Sequence, residues 1–135
     1  MRGAGDPPGL TRANGRSAMT DMLRGRIYRA HLDHIGEDKF FLVVSNNRRN
    51  RAFEQVLAAR LTTTPPRVER PAMVPLGPEE AMTGWVSCDD IETIYDDEVR
   101  ADVGAITTLA MRRVEAGLLA ALGMTELRPR VVQRS

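Results

Sequence analysis

From Leu23 onward, short apolar runs alternate with polar, turn-forming stretches. Residues 27–32 read as a strand, with Ile27, Arg29 and His31 on one face and Tyr28, Ala30 and Leu32 on the other. The second set is the better core face. Residues 33–38 are turn-rich. Phe40–Val44 is a continuous apolar run of strand length, which predicts a central strand buried on both faces. Ser45-Asn46-Asn47 ends it in a turn. Val56–Leu61 predicts another buried strand, followed by Thr62-Thr63-Thr64 and stopped by Pro65-Pro66, since proline cannot donate to a sheet ladder.

The later pattern is more broken. Arg67–Pro75 carries prolines that mark an extended edge, and 76–84 reads as a loop. Trp85–Cys88 and Ile91–Ile94 predict two short strands around Asp89-Asp90, Asp96–Val99 a single helical turn, and Val103–Ile106 a last strand. A helix over 108–122 is the one convincing helical segment. Thr107 or Thr108 caps it, Leu109, Val114, Leu118, Ala121 and Leu122 form its apolar face, and Gly123 stops it. Many short strands and one terminal helix predict a mainly β (α+β) fold, a small, strongly bent antiparallel sheet or barrel with a C-terminal helix packed across it.

The chain has 135 residues, enough for one domain and not two. Residues 1–21, rich in Gly, Pro, Arg and Asn, are expected to be a disordered extension, and Met19 and Met22 each stand where a shorter chain could start. The domain is expected over 22–124, with a loose basic tail over 125–135. Net charge is only +1, but its distribution is uneven: residues 23–66 are mainly basic and 67–106 mainly acidic. The first part is therefore expected to offer a basic face to a polyanion. Lys39 is the single lysine among 19 basic residues. One cysteine, Cys88, excludes an internal disulfide and fits a reducing compartment. With no apolar run of membrane-span length and no secretory h-region, the expected location is cytoplasmic.

Candidate chemistry gathers at the end of the Val56–Leu61 strand. Arg60 and Thr62 are two apart and share a face, and a guanidinium beside a hydroxyl suits a phosphate. Asn46, Asn47, Arg48 and Arg49 could pair with base edges, stack on bases or hold phosphates. Only six aromatic residues are present, too few for a large stacking platform. Asp89-Asp90 as a metal pair is disfavoured because adjacent strand residues point to opposite faces. Cys88 reads as a buried residue rather than a thiol nucleophile. His31, facing Ile27 and Arg29, reads as structural.

Several segments in order resemble one family. Arg24-Gly25-Arg26-Ile27-Tyr28 with Leu32-Asp33 is similar to the opening of the MazF/PemK toxin ribonucleases. Leu42-Val43-Val44-Ser45-Asn46 resembles their second strand, Leu61-Thr62-Thr63 the end of their third, Val86–Ile94 their Ala-Asp-Gln or Cys-Asp-Gln segment, and Ala120-Ala121-Leu122-Gly123 the end of their terminal helix. The resemblance spans Leu23–Met124. It implies an SH3-like barrel working as a homodimer, cutting single-stranded RNA without a metal or other cofactor. The products would carry a 2′,3′-cyclic phosphate and a 5′-hydroxyl, and a cognate MazE-like antitoxin would inhibit. The family's catalytic threonine falls on Thr62, with Thr63 beside it. Its catalytic arginine falls on Lys39, a departure, because an ammonium cannot grip phosphate bidentately. Either Lys39 does that work, or Arg60 supplies the guanidinium. His34 stands in the loop where some members place a phosphate-proximal histidine. Asp89 matches an acidic RNA-contacting position, and Arg26 joins Asn46, Asn47, Arg48, Arg49 and Thr63 as an expected RNA contact. Two alternatives share the fold: a CcdB-like, gyrase-binding toxin, and a barrel that binds RNA or protein without cutting. The first is disfavoured by the chain's end, Val-Val-Gln-Arg-Ser, which lacks the Trp-Gly-Ile signature.

Overall fold

The computed structural model describes residues 20–124; the expected extension up to residue 19 and the tail from 125 lie outside them. The described chain starts inside the expected extension. Thr20 is buried and its N–H donates to the Phe53 carbonyl at 3.1 Å. Met22 belongs to the core.

Six strands form one antiparallel sheet: β1 (Arg26–Leu32), β2 (Glu37–Val43), β3 (Gln55–Thr62), β4 (Met73–Leu76), β5 (Gly84–Tyr95) and β6 (Val99–Ala105). Their order is β4-β5-β3-β2-β1-β6. Helix α1 (Asn47–Ala52) lies between β2 and β3, and α2 (Thr108–Leu122) ends the fold. The sheet is strongly curled and buries apolar side chains on both faces. On one face Ile27, Leu42, Leu61, Val74, Val86 and Cys88 pack with Ala110 and Val114 of α2. On the other, Tyr28, Ala30, Leu32, Phe41, Val43, Val56, Ala58 and Ile94 form a second core, with Ile35 of the β1–β2 turn against it. That is the β1 face expected from the alternation, and the run Phe40–Val44 is indeed central. Its middle residues Phe41 and Leu42 feed opposite cores.

Besides β6, which starts at Val99 and not Val103 because Val99, Ala101 and Asp102 already pair with β1, three elements differ from expectation. The turn expected at Ser45-Asn46-Asn47 leads into a helix, Asn47–Ala52, that the pattern did not predict. Its six residues carry no apolar period; side-chain hydrogen bonds hold it instead. Asn46 caps it, accepting from the Arg49 N–H at 2.7 Å. Asn50, 1 % exposed, is locked to Ser45: the Ser45 hydroxyl donates to Asn50 Oδ1 at 2.6 Å, and Asn50 Nδ2 donates to the Ser45 carbonyl at 3.0 Å. Second, the two short strands expected around Asp89-Asp90 are one strand, β5, with an irregularity there. Ala59 pairs with Ile91 but Arg60 with Ser87, so residues 88–90 have no counterpart on β3. Third, the apolar face of α2 is Ala110, Val114 and Gly117, flanked by Met111, Leu118 and Ala121, while Leu109 and Leu122 are exposed. The close approach of the helix sets this rotation. A Cβ on Gly117 would lie 2.8 Å from both Cys88 Sγ and Val74 Cγ2. Thr107 is the cap, accepting from the Ala110 N–H, and Gly123 ends the helix in the left-handed conformation.

Asn50→Ala removes the side-chain donor to the buried Ser45 carbonyl and one acceptor of the Ser45 hydroxyl, which keeps its bonds to Leu57. It should destabilise the fold by about 1–3 kcal/mol in urea unfolding. The Cys88 thiol is pushed up to about 11 by burial, with the Asp89 charge adding to the effect. An unfolded thiol ionises near 9.0, so stability should fall as pH climbs from that value toward about 11. Cys88→Ala should flatten that slope, and native Cys88 should resist alkylation at neutral pH until the protein is unfolded.

Candidate active site

Strand alternation fixes which side chains meet on the face away from α2. Leu61, Val86 and Val74 go under the helix, so their neighbours Thr62, Trp85 and Pro75 point to the opposite face. Cross-strand pairing aligns them in a row: Pro75 opposite Trp85, and Trp85 opposite Thr62. The β2–β3 ladder ends at Phe40 opposite Leu61. The next residues on those strands are Lys39 and Thr62, so the row continues to Lys39, which pairs with Ala30 of β1. A parallel row holds Met73, Ser87, Arg60 and Phe41. Phe41 is fully buried, so this polar surface begins where the second core ends.

The sequence-derived trio Lys39, Arg60 and Thr62 is thus brought onto one patch. Lys39 is half-buried, with its ammonium 3.1 Å from Glu37 Oε2. Glu37 is strongly exposed and lies two residues before Lys39 on the same strand. Sequence reasoning passed over it as part of a turn, although the spacing of two was the available signal. The Thr62 hydroxyl oxygen accepts from the Thr64 N–H at 3.1 Å, which leaves the hydroxyl proton to be donated elsewhere. Arg60 makes a long ion pair, 3.9 Å, to Asp90. The backbone at Gly84 closes on Thr62 so tightly that a Cβ there would lie 2.6 Å from the Thr62 carbonyl oxygen, and its φ of +135° also requires glycine.

The other expected residues lie elsewhere or are engaged structurally. His34 is largely exposed, and its Nε2 lies 3.1 Å from Glu92 of β5, tying the β1–β2 turn to that strand. Asn46 caps α1, and Asn47 accepts from the Arg24 N–H at 2.8 Å. Arg49 donates to Gln55 and lies over the Phe53 ring, 5.0 Å from its centre. Arg48 and Thr63 are exposed. Arg26 is paired with Asp102 at 3.2 Å. Asp89 receives hydrogen bonds from Ser87 and Arg70. Desolvation opposes its ionisation, but those bonds and the Arg70 charge outweigh it and hold the carboxyl below its usual range. Asp89 and Asp90 therefore serve separate arginines.

The expected basic face is interrupted for the same reason. Acids of the second half of the chain pair with bases of the first, as in Arg60–Asp90, Arg26–Asp102 and Arg24–Glu115. Cys88 is buried beside the Val114 carbonyl rather than facing this patch. Among the described residues, no helix is long and apolar enough to cross a membrane.

Residues 23–122 match the family model described as "PemK-like, MazF-like toxin of type II toxin-antitoxin system". The chain is 42% identical over 106 residues to endoribonuclease MazF4 of Mycobacterium tuberculosis, covering 78% of this chain and 97% of that protein. Endoribonuclease MazF1 of Mycobacterium bovis matches to the same extent. Among solved structures, an endoribonuclease in complex with its cognate antitoxin from a mycobacterial species superposes with a TM-score of 0.71 at 40% identity, covering 78% of this chain and 99% of that one. MazE-MazF from Deinococcus radiodurans, at 20% identity, shares the fold with a TM-score of 0.64 over 77% of this chain and 97% of that one. A family match over residues 23–122, most of the described chain, makes this protein a member of the PemK-like, MazF-like toxins of type II toxin–antitoxin systems.

Proposed function

We propose that this toxin is a sequence-specific endoribonuclease that cleaves single-stranded RNA without a metal, and that the patch of Glu37, Lys39, Arg60 and Thr62 is its active site. The observation that carries the reading is the register that sets Lys39 beside Thr62 at the open end of the β2–β3 ladder. Relatives named as endoribonucleases at 42% identity support it, and they favour cleavage over gyrase binding or passive RNA binding.

The chemistry follows from the groups present. The 2′-oxygen attacks the adjacent phosphorus, and the bond to the 5′-oxygen breaks. Glu37 accepts the 2′-hydroxyl proton, and its charge is balanced by Lys39 at 3.1 Å. Thr62 donates its hydroxyl proton as a hydrogen bond to a non-bridging oxygen of the phosphorane. Arg60, loosely held by Asp90, adds positive charge as that oxygen becomes more negative. The Lys39 ammonium delivers a proton to the departing 5′-oxygen. The products are a 2′,3′-cyclic phosphate and a 5′-hydroxyl. In this scheme Lys39 takes the part of the family's arginine through a proton and a point charge, not a bidentate grip.

The protein works in the cytoplasm as a homodimer, the commonest symmetric assembly of small soluble chains. A cognate antitoxin restrains it; the solved endoribonuclease with its cognate antitoxin supports that partner. Thr63, Asn46, Asn47, Arg48, Arg49, Arg26 and Asp89 remain proposed RNA contacts, and His34 a proposed auxiliary catalytic group. Of these, Arg48 at the start of α1 and Thr63 after β3 are exposed.

Thr62→Val keeps the shape of the side chain and removes the donor. It should lower kcat for RNA cleavage by about 10²–10³-fold with the melting temperature nearly unchanged. Cleavage that survives at full rate would remove Thr62 from the mechanism. Lys39→Met should cost about 10²-fold or more in kcat, whereas Arg60→Met should act mainly through KM. The reverse order would assign the chemical role to the guanidinium.

A further inference from the structure

Next to the proposed active site is a second feature that the cleavage chemistry does not use. Pro66, Glu69, Arg70, Pro71, Met73, Pro75 and Trp85 line an open groove of about 510 Å³. It is continuous with the catalytic row, because Trp85 is the direct cross-strand partner of Thr62 and Pro75 the partner of Trp85. Directly opposed residues carry their Cβ atoms only about 4.5–5.5 Å apart. A nucleotide with its phosphate at Thr62 has its base within reach of Trp85.

The lining selects the occupant. Its walls are proline rings, a thioether and the chain's single tryptophan. Its two charges, Glu69 and Arg70, cancel, and Arg70 is already bound to Asp89 at 3.2 Å. Such a surface offers nothing to a phosphate and suits a flat, uncharged, largely apolar ring. Glu69 and Arg70 at the groove provide one acceptor and one donor group for the polar edge of that ring. The Arg70–Asp89–Ser87 chain of hydrogen bonds, reaching back into β5, fixes the Arg70 side chain.

We infer that this groove is a base-binding subsite, in which Trp85 stacks on the base adjacent to the scissile phosphate and acts as a specificity-determining residue. The inference rests on the ribonuclease reading of the Lys39–Thr62 row. A single ring stacks a single base, which fits a chain with too few aromatics for an extended platform. The site is therefore local: it reads one position beside the cut.

The sole tryptophan is also the reporter. The full-length protein is titrated with a short RNA containing its cleavage motif, made uncleavable by one 2′-deoxynucleotide at the cut position. Tryptophan fluorescence should be quenched, and the same oligonucleotide with an abasic nucleotide beside the cut should quench far less. Trp85→Leu should raise KM about tenfold with kcat changed by less than about threefold, and should relax the base preference at that one position. Trp85→Phe, which keeps a ring, should restore most of both; it also guards against a Leu variant that folds poorly. If the wild type cuts RNA but Trp85→Leu keeps the same KM and base preference, the subsite is refuted while the ribonuclease stands. Equal quenching by the abasic oligonucleotide, or a Trp85→Leu variant impaired only in antitoxin binding, would equally overturn it. If the wild type cuts no RNA, the underlying reading fails instead.

Discussion

The structure depends on the packing of α2 against one face of the curled sheet. Leu61, Val86 and Val74 are drawn under the helix, and Gly117 lets the helix approach closely enough to touch Cys88 and Val74. Because strand side chains alternate strictly, that burial forces Thr62, Trp85 and Pro75 onto the other face. A slip of one residue would exchange the two sets and bury the polar one. The row of Lys39, Thr62, Trp85 and Pro75 is thus specified by hydrophobic residues that face the other way. Gly84 adds a backbone constraint at the same place, filling the space beside the Thr62 carbonyl.

The second core has a complementary effect. It fills the other face of β2 and β3 as far as Phe41 and Ala58 and leaves those two strands open beyond, while on β1 Ala30 and Leu32 continue it. Lys39, Arg60 and Thr62 stand at the boundary, partly desolvated, where a charge interacts more strongly with phosphate than it would in bulk water. The scaffold behind them is rigid, being paired on both sides through β1, β2, β3 and β5. The loops farther along the chain are where a sequence preference can be varied without disturbing that scaffold.

Much of this was legible in the sequence. The apolar runs located β1, β2 and β3, the caps at Thr107 and Gly123 bounded α2, and the spacing of Arg60 and Thr62 put them on one face. The resemblance then singled out Lys39. What stayed hidden depends on contacts distant in sequence or on unpatterned chemistry. Helix α1 is held by Asn46 and the buried Asn50–Ser45 network, which leave no hydrophobic period to detect. The rotation of α2, which buries Gly117 and exposes Leu109 and Leu122, is decided by a close contact that only the folded sheet supplies. Charge blocks along the chain implied a basic face, but antiparallel pairing interleaves acid with base. Trp85 stood out as the only tryptophan, yet nothing local announced that it faces Thr62.

The central claim is that the open end of the β2–β3 ladder is a transesterification site built from protein groups alone. It is tested most directly by incubating the purified chain with a long single-stranded RNA in the presence of EDTA and analysing both new ends. The account predicts discrete cuts at a short motif, each leaving a 2′,3′-cyclic phosphate and a 5′-hydroxyl. Cleavage that stops in EDTA, or that leaves a 5′-phosphate, would contradict it.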